Sequence, residues 1–173
     1  MTARILVAYA SKYGATTEIA EKIGEVLREA GLTVNVLPAE QVDDLTPFDA
    51  VVLGSAVYAG SWRKEAVTLL EEYQTSLAKI PVWLFSSGPL GEGDPSTLMK
   101  GWRFPTAQQS IADRIHPRDI AFFNGELDME KLNFAEKLII KGIRQPVGDF
   151  RDWDAITDWA ASIVGALQPE AVK

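Results

Sequence analysis

The stretch Ser11-Lys12-Tyr13-Gly14-Ala15-Thr16-Thr17 joins a short apolar run, Ile5-Leu6-Val7-Ala8, to a segment in which Ile19, Ile23, Val26, Leu27 and Ala30 recur with helical period. An apolar strand, a loop of small hydroxyl residues and an amphipathic helix, in that order, open a βαβ unit. Gly31 stands where the helix must stop, a position that commonly takes a left-handed residue. The loop lies at a helix N-terminus, where unpaired N–H groups and the helix dipole favour an anion. A phosphate is one reading of it. The other is that Thr16 or Thr17 caps the helix while Glu18 and Glu21 complement its dipole.

Outward from this unit, the chain alternates short β-branched runs with longer helical segments, the pattern of a mainly parallel sheet covered on both faces. The strand candidates are Arg4–Tyr9, Thr33–Pro38, Ala50–Gly54, Ile80–Ser86 and Ile120–Asn124. Ala66, Val67, Leu70, Tyr73 and Leu77 mark a second helix; Trp153, Ile156, Ala160, Ile163 and Leu167 mark a last one that begins near Asp152. The expected architecture is a single doubly wound α/β domain over residues 1–173, with five parallel strands in the order 2-1-3-4-5. Ligands in such sheets bind beyond the carboxyl ends of the strands, which singles out the loops Ser11–Thr17, Ser55–Trp62 and Ser86–Gly91. All three are rich in Gly, Ser or Thr, so backbone N–H groups and hydroxyls can approach a ligand closely.

Composition restricts the chemistry. The 173 residues contain no cysteine and a single histidine, His116, which excludes disulfides, thiolate catalysis, iron–sulfur clusters and a histidine-rich metal site. No metal site is expected, His116 before Pro117 reads as structural or surface, and redox chemistry would have to come from an organic cofactor. The net charge of −7 argues against nucleic acid as a partner, because that binding draws on clustered Lys and Arg. No apolar run approaches the ~20 residues that span a bilayer, and no signal segment is apparent, so the cytoplasm is the expected location. A G-x-x-x-x-G-K-[ST] loop and a G-x-G-x-x-G after the first strand are both missing, against an ATPase or a Rossmann dehydrogenase.

Ser11-Lys12-Tyr13-Gly14-Ala15-Thr16 is similar to the [ST]-x-[TY]-G-x-T phosphate loop of flavodoxins. The segments Gly54-Ser-Ala-Val-Tyr-Ala-Gly60 and Gly148-Asp-Phe-Arg-Asp-Trp-Asp-Ala-Ile156 resemble the flavodoxin-domain proteins grouped with menaquinone-dependent protoporphyrinogen IX dehydrogenase. The resemblance covers nearly the whole chain and implies a flavodoxin-like fold with FMN held non-covalently. It places the phosphate among Ser11, Lys12, Tyr13, Gly14, Ala15 and Thr16. The isoalloxazine ring would be bordered by Ala56, Val57, Tyr58, Ala59 and Gly60 on one side and by Ser87, Gly88, Pro89, Leu90 and Gly91 on the other. Tyr58 and Trp62 are candidates to lie against the flavin, or alternatively to pack in the core. Catalytic residues beyond these are not assigned, since the flavin carries the electron chemistry.

Two segments exceed a minimal five-stranded domain. Residues 91–105 follow the fourth strand and contain Leu98, Met99, Trp102 and Phe104; they read as a lid over the ligand or as a plain surface loop. Residues 128–148 carry Leu132, Ala135, Leu138, Ile139 and Ile143 with helical period, and Lys131, Lys137, Lys141 and Arg144 against Glu130 and Glu136. Such a basic amphipathic helix either packs on the domain or a partner subunit, as in a homodimer, or lies on an anionic membrane. The resemblance implies oxidation of protoporphyrinogen IX with a quinone acceptor, yet the long basic insertion after the fourth strand of those relatives has no counterpart of that length or charge here. The alternatives are a soluble electron carrier between partner proteins and a flavin-free binding module.

Overall fold

The computed structural model describes residues 2–168. In chain order the elements are β1 (Arg4–Ala10), α1 (Ala15–Glu29), β2 (Thr33–Pro38), β3 (Ala50–Tyr58), β4 (Ser61–Trp62), α2 (Lys64–Leu77), β5 (Val82–Ser87), α3 (Pro95–Leu98), α4 (Gln109–Ile115), β6 (Asp119–Phe123), β7 (Glu126–Leu127), α5 (Phe134–Ile143), β8 (Gly148–Asp149) and α6 (Trp153–Leu167). Five strands pair in parallel in the order β2-β1-β3-β5-β6. That is the expected doubly wound order.

The central strands are apolar throughout because both faces of the sheet are covered. Side chains alternate between the faces. Leu6, Ala8, Val51, Leu53 and Leu84 pack with Ala66, Leu70 and Leu77 of α2 and Ala112 and Ile115 of α4. Ile5, Val7, Val52 and Phe85 pack instead with Ile19, Ile23 and Leu27 of α1 and Ile156, Ala160 and Ile163 of α6. The helical periodicities of α1, α2 and α6 therefore report their buried stripes.

The strand ends differ from the sequence expectation where the site is built. β3 runs to Tyr58 rather than stopping at Gly54, because Ser55 and Ala56 pair with Ser86 and Ser87 of β5 and Val57 and Tyr58 fold back on β4. The two-residue turn between them, Ala59 and Gly60, has positive φ at both positions, 50° and 76°, the geometry that matches the twist of a tight hairpin. Ser55–Trp62 is thus a strand end and a hairpin rather than a loop. β7 and β8 form a separate antiparallel pair, and α5 lies between them in the chain.

Candidate functional site

The switch in strand order between β1 and β3 puts the loops after these two strands side by side at the carboxyl end of the sheet. The first turns sharply on Gly14, which has φ 95° and precedes α1 without offering any side-chain cap. Ser11 Oγ accepts the Gly14 N–H at 3.0 Å, and the Glu18 N–H to Gly14 carbonyl bond, 3.1 Å, starts the helix ladder. The N–H groups of Ala15, Thr16 and Thr17 precede that ladder and form the positive end of the helix dipole. Neither threonine caps the helix, so the capping alternative is not what the loop does. Thr16 instead faces β5, its Oγ1 2.8 Å from Ser87 Oγ.

The third loop is held by backbone. Gly88 N–H donates to Phe123 carbonyl at 3.2 Å and Gly125 N–H to Pro89 carbonyl at 2.9 Å. Asn124, nearly buried, donates its side-chain amide to the carbonyls of Gly91 at 3.3 Å and Gly93 at 3.2 Å. A Cβ on Gly125 would come within 2.9 Å of Gly88 O, and one on Gly88 within 3.1 Å of Val57 O. Three backbone segments are stacked here, closely enough that a Cβ on Gly125 would force the backbone to shift.

These loops enclose a cavity of about 490 Å³, within the range of cofactor sites. Of the residues singled out from the sequence, Ser11, Lys12, Tyr13, Ala15 and Thr16 border it from the first loop, Ala56 to Ala59 from the second, and Ser87, Gly88 and Leu90 from the third. Gly14, Gly60, Pro89 and Gly91 do not reach it and act through backbone geometry: Gly14 turns the first loop, Gly60 the hairpin, and Pro89 and Gly91 supply the carbonyls just described. Trp62 is a core residue. It is buried, donates its indole N–H to Ser86 Oγ at 2.7 Å and stands edge-on to Phe104 with centroids 5.2 Å apart. Tyr58 remains at the rim, 43% exposed.

The segment 91–105 forms no lid. Beyond Leu90 none of it borders the cavity; Trp102 packs on Phe122, centroids 4.9 Å apart, and Phe104 on Trp62. The roof comes from the later insertion. Leu127, Leu132, Ile139, Ile140 and Ile143 supply an apolar wall, and Gly125, Glu126, Glu136 and Gln145 complete it. The expected stripe through Leu138, Ile139 and Ile143 is divided. Ile139 and Ile143 border the cavity, whereas Phe134 and Leu138, 77% and 55% exposed, do not.

Both wall carboxylates are paired. Glu136 Oε2 accepts from Lys12 Nζ at 3.1 Å and from the Tyr13 hydroxyl, while Oε1 accepts the Asn133 N–H at 3.1 Å. Hydrogen bonding to Tyr13, then to Asn133 and Lys12, holds its pKa down to about 2. Glu126 pairs with Lys131 at 3.5 Å and with Arg151. Arg151, its side chain 4% exposed, also binds Asp149 and Glu18 at 2.8 and 2.9 Å, donates to Ala15 carbonyl at 3.2 Å and stacks on Trp153, 4.7 Å from the ring centre. Burial opposes its charge, but Asp149 and Glu18 outweigh it and keep the guanidinium pKa above the ordinary value. With its carboxylates paired to Lys12, Lys131 and Arg151, the cavity presents an uncapped helix N-terminus and hydroxyls from the first loop and an apolar wall from α5, Leu127 and Leu132. That donor set fits a phosphorylated, flat, largely apolar ligand.

The Flavodoxin domain family matches residues 6–154. The chain belongs to the flavodoxin-domain family. Membership indicates FMN as the cofactor, and the helix N-terminus and apolar wall of the cavity agree with it. Among solved structures, this flavodoxin domain is similar to a short-chain flavodoxin associated with a non-canonical PDU bacterial microcompartment, at 19% identity over 82% of this chain and 99% of that one, TM-score 0.57. It is similar to oxidised flavodoxin 1 from Bacillus cereus at 15% identity over 93% and 97%, TM-score 0.59. It also resembles part of the rubredoxin oxygen:oxidoreductase of Desulfovibrio gigas, at 13% identity over 98% of this chain but 37% of that one, TM-score 0.60. These likenesses show the fold. No curated protein gives a significant match.

Glu136 and the roof isoleucines were not singled out as site residues in the sequence because segment 128–148 reads there as a basic amphipathic helix that packs on the domain or a partner subunit or lies on a membrane; Glu126 stands before that segment, outside any element the sequence marks. Two signals mark this region: Gly125 comes two residues after the last parallel strand, and Asn133-x-x-Glu136 is a capping box that fixes where α5 begins.

Proposed function

We propose that this flavodoxin domain is an FMN-dependent oxidoreductase that passes electrons to a quinone, with protoporphyrinogen IX as the first reductant to test. The observation that carries this reading is the apolar roof. Ile139, Ile140 and Ile143 stand over the cavity between polar loops, an arrangement that offers an apolar surface to a hydrophobic reductant or acceptor at the cavity mouth. When bound, FMN supplies the hydride and electron exchange. The protein's part is to hold the phosphate at the α1 N-terminus and to orient the ring between the Ala56–Ala59 and Ser87–Leu90 edges.

The outward side of the roof supports a lipid-soluble acceptor. Phe134 and Leu138 project from α5 beside Lys137 and Lys141, with Arg144 at its C-terminal end, in a chain of net charge −7. Apolar side chains ringed by bases suit an anionic membrane surface. No helix among the described residues is long and apolar enough to cross one, so contact would be peripheral.

The decisive experiment has two stages. Purified protein is expected to carry flavin absorption and to release FMN in about one-to-one ratio. Holoprotein with menadione is then expected to convert protoporphyrinogen to fluorescent protoporphyrin faster than the spontaneous rate. Bound FMN without that conversion would leave the second reading, an electron carrier between proteins. That reading is favoured by the flavodoxins among its structural neighbours and by the exposed Tyr58 at the cavity rim.

A further inference from the structure

Helix α5 has a construction unlike the other long helices: none of its ten residues is buried, yet it borders the cavity. Ile139 and Ile143 are 62% and 61% exposed while facing the space that a ligand fills. Among the described residues, the side-chain hydrogen bonds that join α5 to the rest of the protein are those of Glu136 to Lys12 and Tyr13, and both partners sit in the phosphate loop. The carboxylate is aimed at that loop by a capping box, with Asn133 Oδ1 accepting the Glu136 N–H at 2.8 Å and Glu136 Oε1 accepting the Asn133 N–H. At its other end the helix stops on Arg144 with φ 52°, and Gly148 beyond it has φ 138°.

We propose that α5 is a lid over the cofactor and that Glu136 is its latch, fastening the helix to Lys12 and Tyr13 of the loop that takes the phosphate. This rests on the FMN reading above. The inner isoleucines have no protein surface to pack on, so bound cofactor completes their burial and holds the lid down. The cofactor in turn cannot pass without α5 lifting, and lifting breaks the Glu136 contacts. Glu136 is then a positioning residue: it borders the cavity, but it controls passage in both directions through its bonds to Lys12 and Tyr13.

That two-way control separates a latch from a ligand contact. Loss of a contact to FMN speeds release and leaves uptake alone, whereas loss of a latch speeds both. FMN release from diluted holoprotein and uptake by apoprotein are both read by flavin fluorescence. In Glu136→Gln the charge-assisted bonds are lost, and release is expected to rise roughly tenfold with uptake rising alongside, so that affinity changes less than either rate. Tyr13→Phe removes one partner without altering α5 and is expected to move both rates the same way by a smaller factor.

Trypsin gives an independent readout, because Lys137 and Lys141 lie within α5. Cleavage there is expected to be slow in wild-type holoprotein, faster in apoprotein and fast in Glu136→Gln even with FMN bound. Rates of release, uptake and cleavage unchanged in both variants would overturn the latch while leaving the FMN reading intact. Release alone accelerated would also overturn it, and would make Glu136 part of the binding surface. A wild-type protein that binds no FMN would remove the FMN reading and the lid together, before any rate is compared.

Discussion

Thr16 Oγ1 and Ser87 Oγ lie 2.8 Å apart, both almost wholly buried, and bind the first turn of α1 to the end of β5. The bond joins the first loop of the cavity to the third. Thr16→Ala or Ser87→Ala leaves the other hydroxyl buried without a partner, which is expected to cost about 1–2 kcal/mol of stability. The double substitution is expected to cost less than the sum of the two. Urea unfolding of the four proteins checks this, and strict additivity would show that the two hydroxyls do not interact.

Trp62 is expected to matter for stability and not for flavin. Trp62→Phe keeps much of the apolar contact with Phe104 but removes the donor to Ser86 Oγ, a bond of 2.7 Å. The expected loss is about 1–2 kcal/mol with unchanged affinity for FMN. A large fall in FMN affinity at full stability would instead place Trp62 against the ring.

The contrast between Trp62 and Tyr58 shows how far the sequence could be read. Period and β-branched runs locate the parallel strands: the central β1, β3 and β5 are buried on both faces, the edge strands β2 and β6 only in part, and that constraint is local. They do not reveal that β3 continues to Tyr58, since this extension depends on pairing with Ser86 and Ser87, far along the chain. One consequence is that Trp62 turns inward and Tyr58 outward. The same limit applies at α5: Ile139 and Leu138 are neighbours in one apolar run, and only the placement of the helix over the cavity assigns them to opposite sides. Loop residues that border the cavity through local backbone, Ser11 to Tyr13 with Ala15 and Thr16, are legible. Those brought there by tertiary packing, Glu126 and Glu136, are not.

Gly125 is expected to tolerate no side chain. Its Cβ would meet Gly88 O at 2.9 Å, a clash with backbone that no rotamer change relieves. Gly125→Ala is expected to displace the third loop at a cost of about 1–3 kcal/mol, and to weaken FMN binding roughly in proportion. Calorimetric titration of apoprotein with FMN checks this; unchanged affinity would show that the loop absorbs the extra carbon away from the cavity.

Arg151 is expected to be irreplaceable by lysine. Its planar fork serves Asp149, Glu126, Glu18 and the Ala15 carbonyl together, which a single ammonium cannot do. Arg151→Met strands Glu126, 14% exposed, as a carboxylate left with Lys131. The expected cost is about 3 kcal/mol, at the lower end for a broken buried pair because Glu18 and Asp149 are half in water. Denaturant unfolding of the Met and Lys variants checks this, with Lys recovering less than half of the loss if the fork is what counts.

Closure of α5 is expected to depend on pH through the Glu136 clasp. Because its folded pKa, about 2, lies below the ordinary value of about 4.3, the open helix binds more protons than the closed one in acid. The contribution to closure is therefore complete above the ordinary value and is lost as pH falls through that range to about 2. The groups facing the carboxylate are Lys12, the Tyr13 hydroxyl and the Asn133 N–H. The Lys12 pKa also lies above its ordinary value, first through Tyr13 in its own loop and second through Glu136; only the Glu136 part depends on α5, and that part is present at neutral pH and lost as pH rises through the raised value. Hydrogen exchange of the 134–143 amides, corrected for the intrinsic rate and referred to β1, is expected to lose protection in acid between these limits. In Glu136→Gln the acid loss should be absent. An identical acid response in that variant would assign the opening to other carboxylates, with Glu126 the next to test.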